Sequence, residues 1–381
     1  MMKNPETKRP GRTQLIACHL CGLDQTVAVL KEGERARCAR CCATIRERKV
    51  NSIDRTLALA LCGLALFVPA NIYPIMSFEV VGRSNDNRLI SGVIGLFQDD
   101  AHIVATMVFA TSVLAPLLIF LCTIAVLVPI RMGRPQFSSA ALRRLLDRLG
   151  RWAMLDIYLL AIAVAYAKLS NFGEVELQGG WGPLLGTIVV SILVSFSYDP
   201  GAVREAIDRG AITRTDAHPR KNFAVTVALL ATAAILFIPA YTWTVLSIVE
   251  YGQVHHDTVY GSILELTSGG QYLLGALVFC ASIFIPAFKV VALTLLVISV
   301  RMRSKIWRSE RLMLYRIIEA IGRWAFVDLF VVSILIALGE LGVFATVTPG
   351  PGLIFFAGVV ISTMLAAIYF DPRLIWNAAE E

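Results

Sequence analysis

Charge is scarce in this sequence. Lys, Arg, Asp and Glu together make up 17% of the 381 residues, while apolar residues make up 56%. Ordinary soluble domains carry about a quarter charged residues and about half apolar ones. Phosphate-cradling loops are missing: no G-x-x-x-x-G-K-[ST] run occurs, which excludes nucleotide hydrolysis by a P-loop in this chain. Histidine is reduced to His19, His102, His218, His255 and His256, at spacings that build no open metal site in a membrane cavity. No nucleophile–base pair stands out either. The expectation is a protein that is not an enzyme. An early apolar run is also absent. The first begins more than fifty residues into the chain, so it does not read as a cleavable signal peptide.

The apolar residues that are present fall in eight blocks, roughly 56–78, 101–128, 153–171, 183–198, 223–247, 270–300, 325–343 and 353–370. Crossing a bilayer takes about 20 helical residues. The expected fold is therefore an all-α polytopic membrane protein with eight transmembrane helices. The fourth and eighth blocks are short and call for little tilt or a locally thinned bilayer. Lys and Arg alternate with the blocks. Twelve lie in residues 1–55, six in 129–151, five in 199–221 and seven in 301–323, with Arg373 beyond. The alternate loops hold only Arg83 and Arg88, and Lys168 and Lys289 lie inside blocks. Basic residues concentrate on the cytosolic side, so both termini are expected there. The net charge of +7 then reports topology and contact with anionic headgroups, and no nucleic-acid partner is expected.

The chain repeats itself. Leu66-Phe67-Val68-Pro69-Ala70 returns as Leu236-Phe237-Ile238-Pro239-Ala240, and the Val108-Phe109, Ser112 and Pro116 pattern returns at Val278-Phe279, Ser282 and Pro286, both at an offset of 170. Gly150-Arg151-Trp152-Ala153 with Asp156 returns as Gly322-Arg323-Trp324-Ala325 with Asp328, and Tyr198-Asp199-Pro200 as Phe370-Asp371-Pro372, at an offset of 172. Two four-helix halves of like topology follow, related by an axis along the membrane normal. The domains read as an N-terminal module (1–52), a first half (53–200), a linker (201–221), a second half (222–372) and a tail (373–381). Segments 77–92 and 247–262 read as outward β-hairpins, and the stretches 173–179 and 343–348 could each add a strand.

Five of the eight cysteines cluster near the start. Cys18-x-x-Cys21 and Cys38-x-x-Cys41 are separated by sixteen residues, the pattern of a zinc ribbon. Four thiolates suit tetrahedral zinc and leave no open position for catalysis. A segment this short needs such a staple to hold a fold. A reducing compartment favours metal over disulfide, with a redox pair as the alternative. Cys42 stands either in place of Cys41 or as a spare thiol. Cys62, Cys122 and Cys280 lie in apolar blocks and read as packing residues.

With the ribbon, the two halves and the doubled Gly-Arg-Trp-Ala-x-x-Asp in view, the chain resembles the paraquat-inducible protein A family along nearly its whole length. Pro69-Ala70-Asn71-Ile72-Tyr73-Pro74, Pro286-x-x-Lys289 and the Trp-x-x-x-Asp pairs are similar to that family's features. The resemblance implies a bacterial inner-membrane protein whose halves are tetraspanin- or claudin-like, with small periplasmic hairpins. It also implies work with a periplasmic mammalian-cell-entry (MCE) domain protein in moving phospholipid between the inner and outer membranes. Fuller members carry a second ribbon before the second half, whereas residues 199–221 here contain no cysteine.

Polar residues inside the blocks carry the functional expectation, because charge in mid-bilayer is costly and marks function. Lys289 lies twelve residues from Arg301, ~18 Å along a helix and close to mid-membrane. Ser282, Asp328 and Thr363 complete an expected network with Lys289 in the second half. Lys289 and Asp328 read as an ion pair, either cycling protons or simply pinning two helices. The family resemblance points to the same positions as a proton path. Asp156, Ser191 and Asn71 are secondary candidates in the first half, where Ile119 stands at the position of Lys289. That difference suggests one working half and one scaffold. Asn71 marks either a broken helix lining a cavity or the exit into the hairpin. Three functions fit in descending order: a proton-coupled lipid-transport subunit, a structural anchor for an MCE tunnel, and a small-molecule exporter.

Overall fold

A computed structural model describes residues 13–28, 30–80, 83–134, 140–150, 152–170, 174–208, 223–250, 253–303, 307–339 and 345–377. Arg151, most of the linker with His218, and the last four residues lie outside these ranges. The described chain is mostly helical.

The N-terminal module is two antiparallel hairpins, β1 (Thr13–Ala17) with β2 (Asp24–Ala28), and β3 (Arg35–Arg37) with β4 (Thr44–Glu47). The chain then enters α1 (Ser52–Ile72), which carries Pro69 near its end and passes into the hairpin β5 (Met76–Val80) and β6 (Arg83–Asn87). A short α2 (Ser91–Gln98) leads to α3 (His102–Phe109) and α4 (Ala115–Arg131), joined by a π-helical turn at Ala110–Leu114. Next come α5 (Ala140–Leu149), α6 (Leu155–Leu169), strand β7 (Glu174–Leu177), α7 (Trp181–Ser197) and α8 (Pro200–Asp208).

The same order of elements follows in the second half. It runs α9 (Phe223–Thr242), β8 (Leu246–Glu250), β9 (Gln253–Asp257), α10 (Val259–Ser268), α11 (Tyr272–Phe279), a π turn at Cys280–Phe284, and α12 (Ile285–Arg301). It ends with α13 (Arg308–Ile321), α14 (Val327–Gly339), β10 (Ala345–Pro349), α15 (Gly352–Tyr369) and α16 (Leu374–Asn377). The two π turns sit at the same offset of 170 as the sequence repeat. Both precede a proline, Pro116 or Pro286, which lacks the N–H that would close an α turn.

Among the described residues, six helical stretches are long and apolar enough to cross a membrane: Ser52–Ile72, His102–Arg131, Phe223–Thr242, Tyr272–Arg301, Arg308–Leu338 and Gly352–Tyr369. A seventh forms if α7 and the start of α8, bent by 60°, count as one. The expectation was eight. The third block yields the 15-residue α6, ~22 Å long against a hydrocarbon core of ~30 Å.

Hairpins form in both expected segments but end earlier, at Asn87 and Asp257, and Arg83–Asn87, a polar stretch that reads as turn material, is the strand β6. β7 joins β5 on the side away from β6, and β10 joins β8 on the side away from β9, giving two three-stranded antiparallel sheets. Each sheet is locked onto a helix start by a glycine. Gly180 N donates to Pro74 O at 2.8 Å, and Gly352 N donates to Thr244 O at 2.8 Å. A Cβ would lie 2.6 Å from the Pro74 oxygen at Gly180, and 2.7 Å from the Thr244 oxygen at Gly352.

The halves meet through equivalent helices. α14 packs on α6, and the rings of Tyr158 and Phe330, which are 172 residues apart, stand 5.4 Å apart. Contact between repeat-mates is what a twofold axis through the seam produces. α2 crosses α14 with Gly92 set against Ser333 and Gly95 against Ile336. Small residues at such crossings let backbones approach. Asn85 adds a hydrogen bond from its amide to Ala337 O at 2.9 Å.

The hairpin module lies across the opposite end from the sheets and touches both halves. Arg46 pairs with Glu205, and Lys49 Nζ donates to Tyr198 O at 2.9 Å in the first half. Arg316 donates to Cys41 O at 3.1 Å, and the Arg40 guanidinium stacks 4.3 Å from the Trp376 ring in the second.

Candidate functional sites

The cysteine cluster is built by two matching turns. Gly22 N donates to Cys18 O, and Cys42 N donates to Cys38 O, both at 3.0 Å. Gly22 and Cys42 both take positive φ, 76° and 56°. Cys42 therefore fills in the second turn the place glycine fills in the first. Its side chain is exposed, outside the group formed by Cys18, Cys21, Cys38 and Cys41. The four Sγ atoms lie within 4.8 Å of one another, with Cys18 to Cys41 at 3.6 Å and Cys21 to Cys38 at 3.5 Å. Tetrahedral zinc with Zn–S bonds near 2.3 Å needs sulfurs about 3.8 Å apart, so the group can hold a metal ion with small adjustments.

Burial raises the Cys21 and Cys41 thiols, Cys41 to about 11. Burial presses Cys38 upward as well. The backbone N–H groups of Cys41 and Arg40 and the Gln25 side chain outweigh it, and Cys38 falls to about 6.

In the second half, Lys289 is fully buried, as are Ser282 and Thr363. Lys289 Nζ donates to Gly322 O at 3.4 Å, and among the described residues no ion pair joins it to Asp328. Thr363 Oγ1 donates within its own helix to Val360 O at 3.1 Å. Ser282 Oγ and Asp328 Oδ2 face each other, both buried and without a closed hydrogen bond. Tyr241 joins this group although sequence reasoning missed it. Its hydroxyl donates to Ser282 O, the carbonyl that Pro286 leaves without its usual i+4 donor. One signal was available: Tyr241 replaces Asn71 at the repeat offset.

The secondary candidates part company. Asn71 donates from its amide to Phe67 O in its own helix at 2.8 Å, as α1 exits into the hairpin. Asp156 and Ser191 instead line a cavity of about 300 Å³ bounded by α4, α5, α6 and α7. Ile119 and Gly150 line it too, and Arg323 reaches in from the second half. Arg323 stands 3.9 Å from Asp156. Asp199 does not belong to the site. It caps α8, accepting hydrogen bonds from Gly201 N at 2.9 Å and Ala202 N at 3.0 Å.

Long apolar helices, two sheet-capped bundles and buried polar groups between them define a multi-pass helical membrane protein. The model of the family described as paraquat-inducible protein A matches residues 53–208 and again 223–380. The chain belongs to that family. It is 26% identical to intermembrane transport protein PqiA of Escherichia coli K12 over 96% of both chains. It is 27% identical to lipophilic envelope-spanning tunnel protein A of the same organism, over 95% of this chain and 91% of that one. A probable intermembrane transport protein of Haemophilus influenzae is 24% identical over 96% of both. No solved structure matches the chain significantly.

Proposed function

We propose that this chain is the inner-membrane subunit of a lipid transport system that works with a periplasmic MCE-domain protein and is driven by the proton gradient. In this reading eight spans form two duplicated four-helix halves, the short α6 and α7 crossing with help from a thinned bilayer. Both termini and the hairpin module face the cytosol, and the module holds structural zinc. The printed names of the relatives, intermembrane transport protein and envelope-spanning tunnel protein, support transport across the envelope. The doubled family match and the paired π turns support the duplication.

One observation carries the coupling: a fully buried lysine shares an apolar bundle with an aspartate whose buried Oδ2 faces the Ser282 hydroxyl. Ionisable groups inside spans mark proton and ion pathways. Lys289 is engaged with Gly322 O, and Asp328 faces Ser282. A second state in which Lys289 and Asp328 pair would exchange one arrangement for the other as protons load and leave, and Tyr241 holds the π turn between them.

Cells lacking the protein, complemented with wild type, Lys289→Ala or Asp328→Ala, test this reading, with membrane insertion and MCE-partner pull-down measured in parallel. The expected result is loss of complementation with insertion and assembly intact. Full complementation by both variants would overturn the coupling and leave a docking anchor for the MCE tunnel.

A further inference from the structure

The first-half cavity occupies the position that Lys289 fills in the second half. Its lining residues Ile119, Gly150, Asp156 and Ser191 are the repeat-mates of Lys289, Gly322, Asp328 and Thr363. In the second half the lysine side chain crosses this space and donates to the Gly322 carbonyl. In the first half Ile119 is too short to do so, and a cavity of about 300 Å³ remains. The space keeps its polar character. Thr123 Oγ1 and Tyr198 OH, on residues that line it, are buried without hydrogen-bond partners among the described residues.

From this geometry we propose that the cavity binds the headgroup of an amine-bearing zwitterionic phospholipid, of the phosphatidylethanolamine class. This rests on the transport reading above and names its substrate site. The ligand ammonium takes the Gly150 carbonyl, as the Lys289 ammonium takes the Gly322 carbonyl in the other half, and Asp156, which lines the cavity, supplies the counter-charge. The phosphate goes to Arg323, whose planar fork suits phosphate oxygens. Asp156 and Arg323 stand 3.9 Å apart, a long ion pair. A zwitterion lying across the pair gives Asp156 an ammonium and Arg323 a phosphate, two close charge-assisted contacts beside one long one. The volume sits at the lower end of small-molecule sites, about 300–1,000 Å³. It takes a headgroup and excludes two acyl chains. Those leave sideways past Ile192, a lining residue that is 42% exposed on the outer face of α7.

The test uses the full-length protein in nanodiscs and two photoactivatable lipids with the same acyl diazirine, one phosphatidylethanolamine and one phosphatidylglycerol. The ethanolamine lipid is expected to label α7 peptides around Ile192 about tenfold more than the glycerol lipid. Asp156→Asn should reduce that labelling about tenfold. Ile119→Lys, which installs the second half's own amine, should reduce it at least as much, with both variants monodisperse by size exclusion. Equal labelling by the two lipids, or wild-type labelling of both variants, would overturn the proposal. Displacement of the lipid by equimolar soluble phosphoethanolamine would overturn the lipid assignment in favour of a free metabolite. Lys289→Ala should label as wild type does. Loss of labelling at the cavity with the Lys289→Ala transport defect intact would remove only the headgroup site. Intact labelling with normal transport by Lys289→Ala would remove only the coupling.

Discussion

Metal affinity at the four-cysteine cluster should fall steeply with acid, and the slope follows from the thiols. Zinc takes thiolates, so each protonated ligand must release its proton on binding. Cys21 and Cys41 are raised by burial, Cys41 to about 11, so both carry protons at neutral pH. Cys38, held at about 6 by hydrogen bonds, is mostly thiolate there. Binding at neutral pH therefore displaces at least two protons. Each displaced proton changes apparent affinity tenfold per pH unit, so the two give about a hundredfold loss from pH ~8 to pH ~7. Below pH ~6 Cys38 protonates as well, and the slope steepens by a further factor of ten. The sign is fixed: affinity rises with pH. A competition titration against a chromophoric chelator, on full-length protein in detergent, reads this directly. The same samples should gain protease sensitivity confined to residues 13–47 when the metal is stripped, since so short a segment cannot hold its fold unaided. A pH-independent affinity, or a slope of a single proton, would refute the argument from the thiols.

Tyr241→Phe removes the donor to the Ser282 carbonyl and should lower thermal stability in detergent by about 0.6–1.7 kcal/mol, the range for hydrogen bonds between membrane helices. An unchanged Tm would mean that the carbonyl freed by Pro286 has another donor. Gly92→Leu drives a side chain into the Ser333 backbone at the seam and should cost about 1–3 kcal/mol. A disulfide reporter engineered across α2 and α14 should lose efficiency in the same variant, and wild-type cross-linking would show that the crossing does not need glycine.

Much of the fold was legible because its signals are periodic. Apolar runs marked the candidate spans, the outward segments held both hairpins, and two C-x-x-C turns placed four sulfurs together. The role of Cys42 was also within reach, since Cys42 follows Cys41 as Gly22 follows Cys21, and only the positive φ made the equivalence plain. Other features depend on direction around a helix rather than position along it. Counting residues placed Lys289 near mid-bilayer but could not show that its amine turns toward Gly322 and not Asp328. The π turns were hidden because the bulge that absorbs each proline, Pro116 or Pro286, leaves the apolar pattern unchanged. The cavity was hidden for a different reason: Ile119 lines it where the longer Lys289 stands in the other half, and that difference shows up only when the repeat-mates are set side by side.

That pairing also changes the expected division of labour between the halves. The lysine marked the second half as the working one and left the first as scaffold. In the structure the lysine lies fully buried in its own bundle, whereas a cavity of about 300 Å³ lies in the half without it. Asp156 and Asp328 show the same contrast. Asp328 Oδ2 is buried facing the Ser282 hydroxyl, while the Asp156 side chain is 40% exposed beside Arg323 of the other half. The hairpin module binds this arrangement together. Lys49 holds the carbonyl of Tyr198, a cavity residue, while Arg316 ties α13 to the Cys41 carbonyl. A shift in either bundle at that end therefore pulls on the module that the other bundle also holds. On the proposed reading, two unequal copies of one bundle, with a common seam at α6 and α14 and a common strap below, let one copy hold a ligand while the other moves charge.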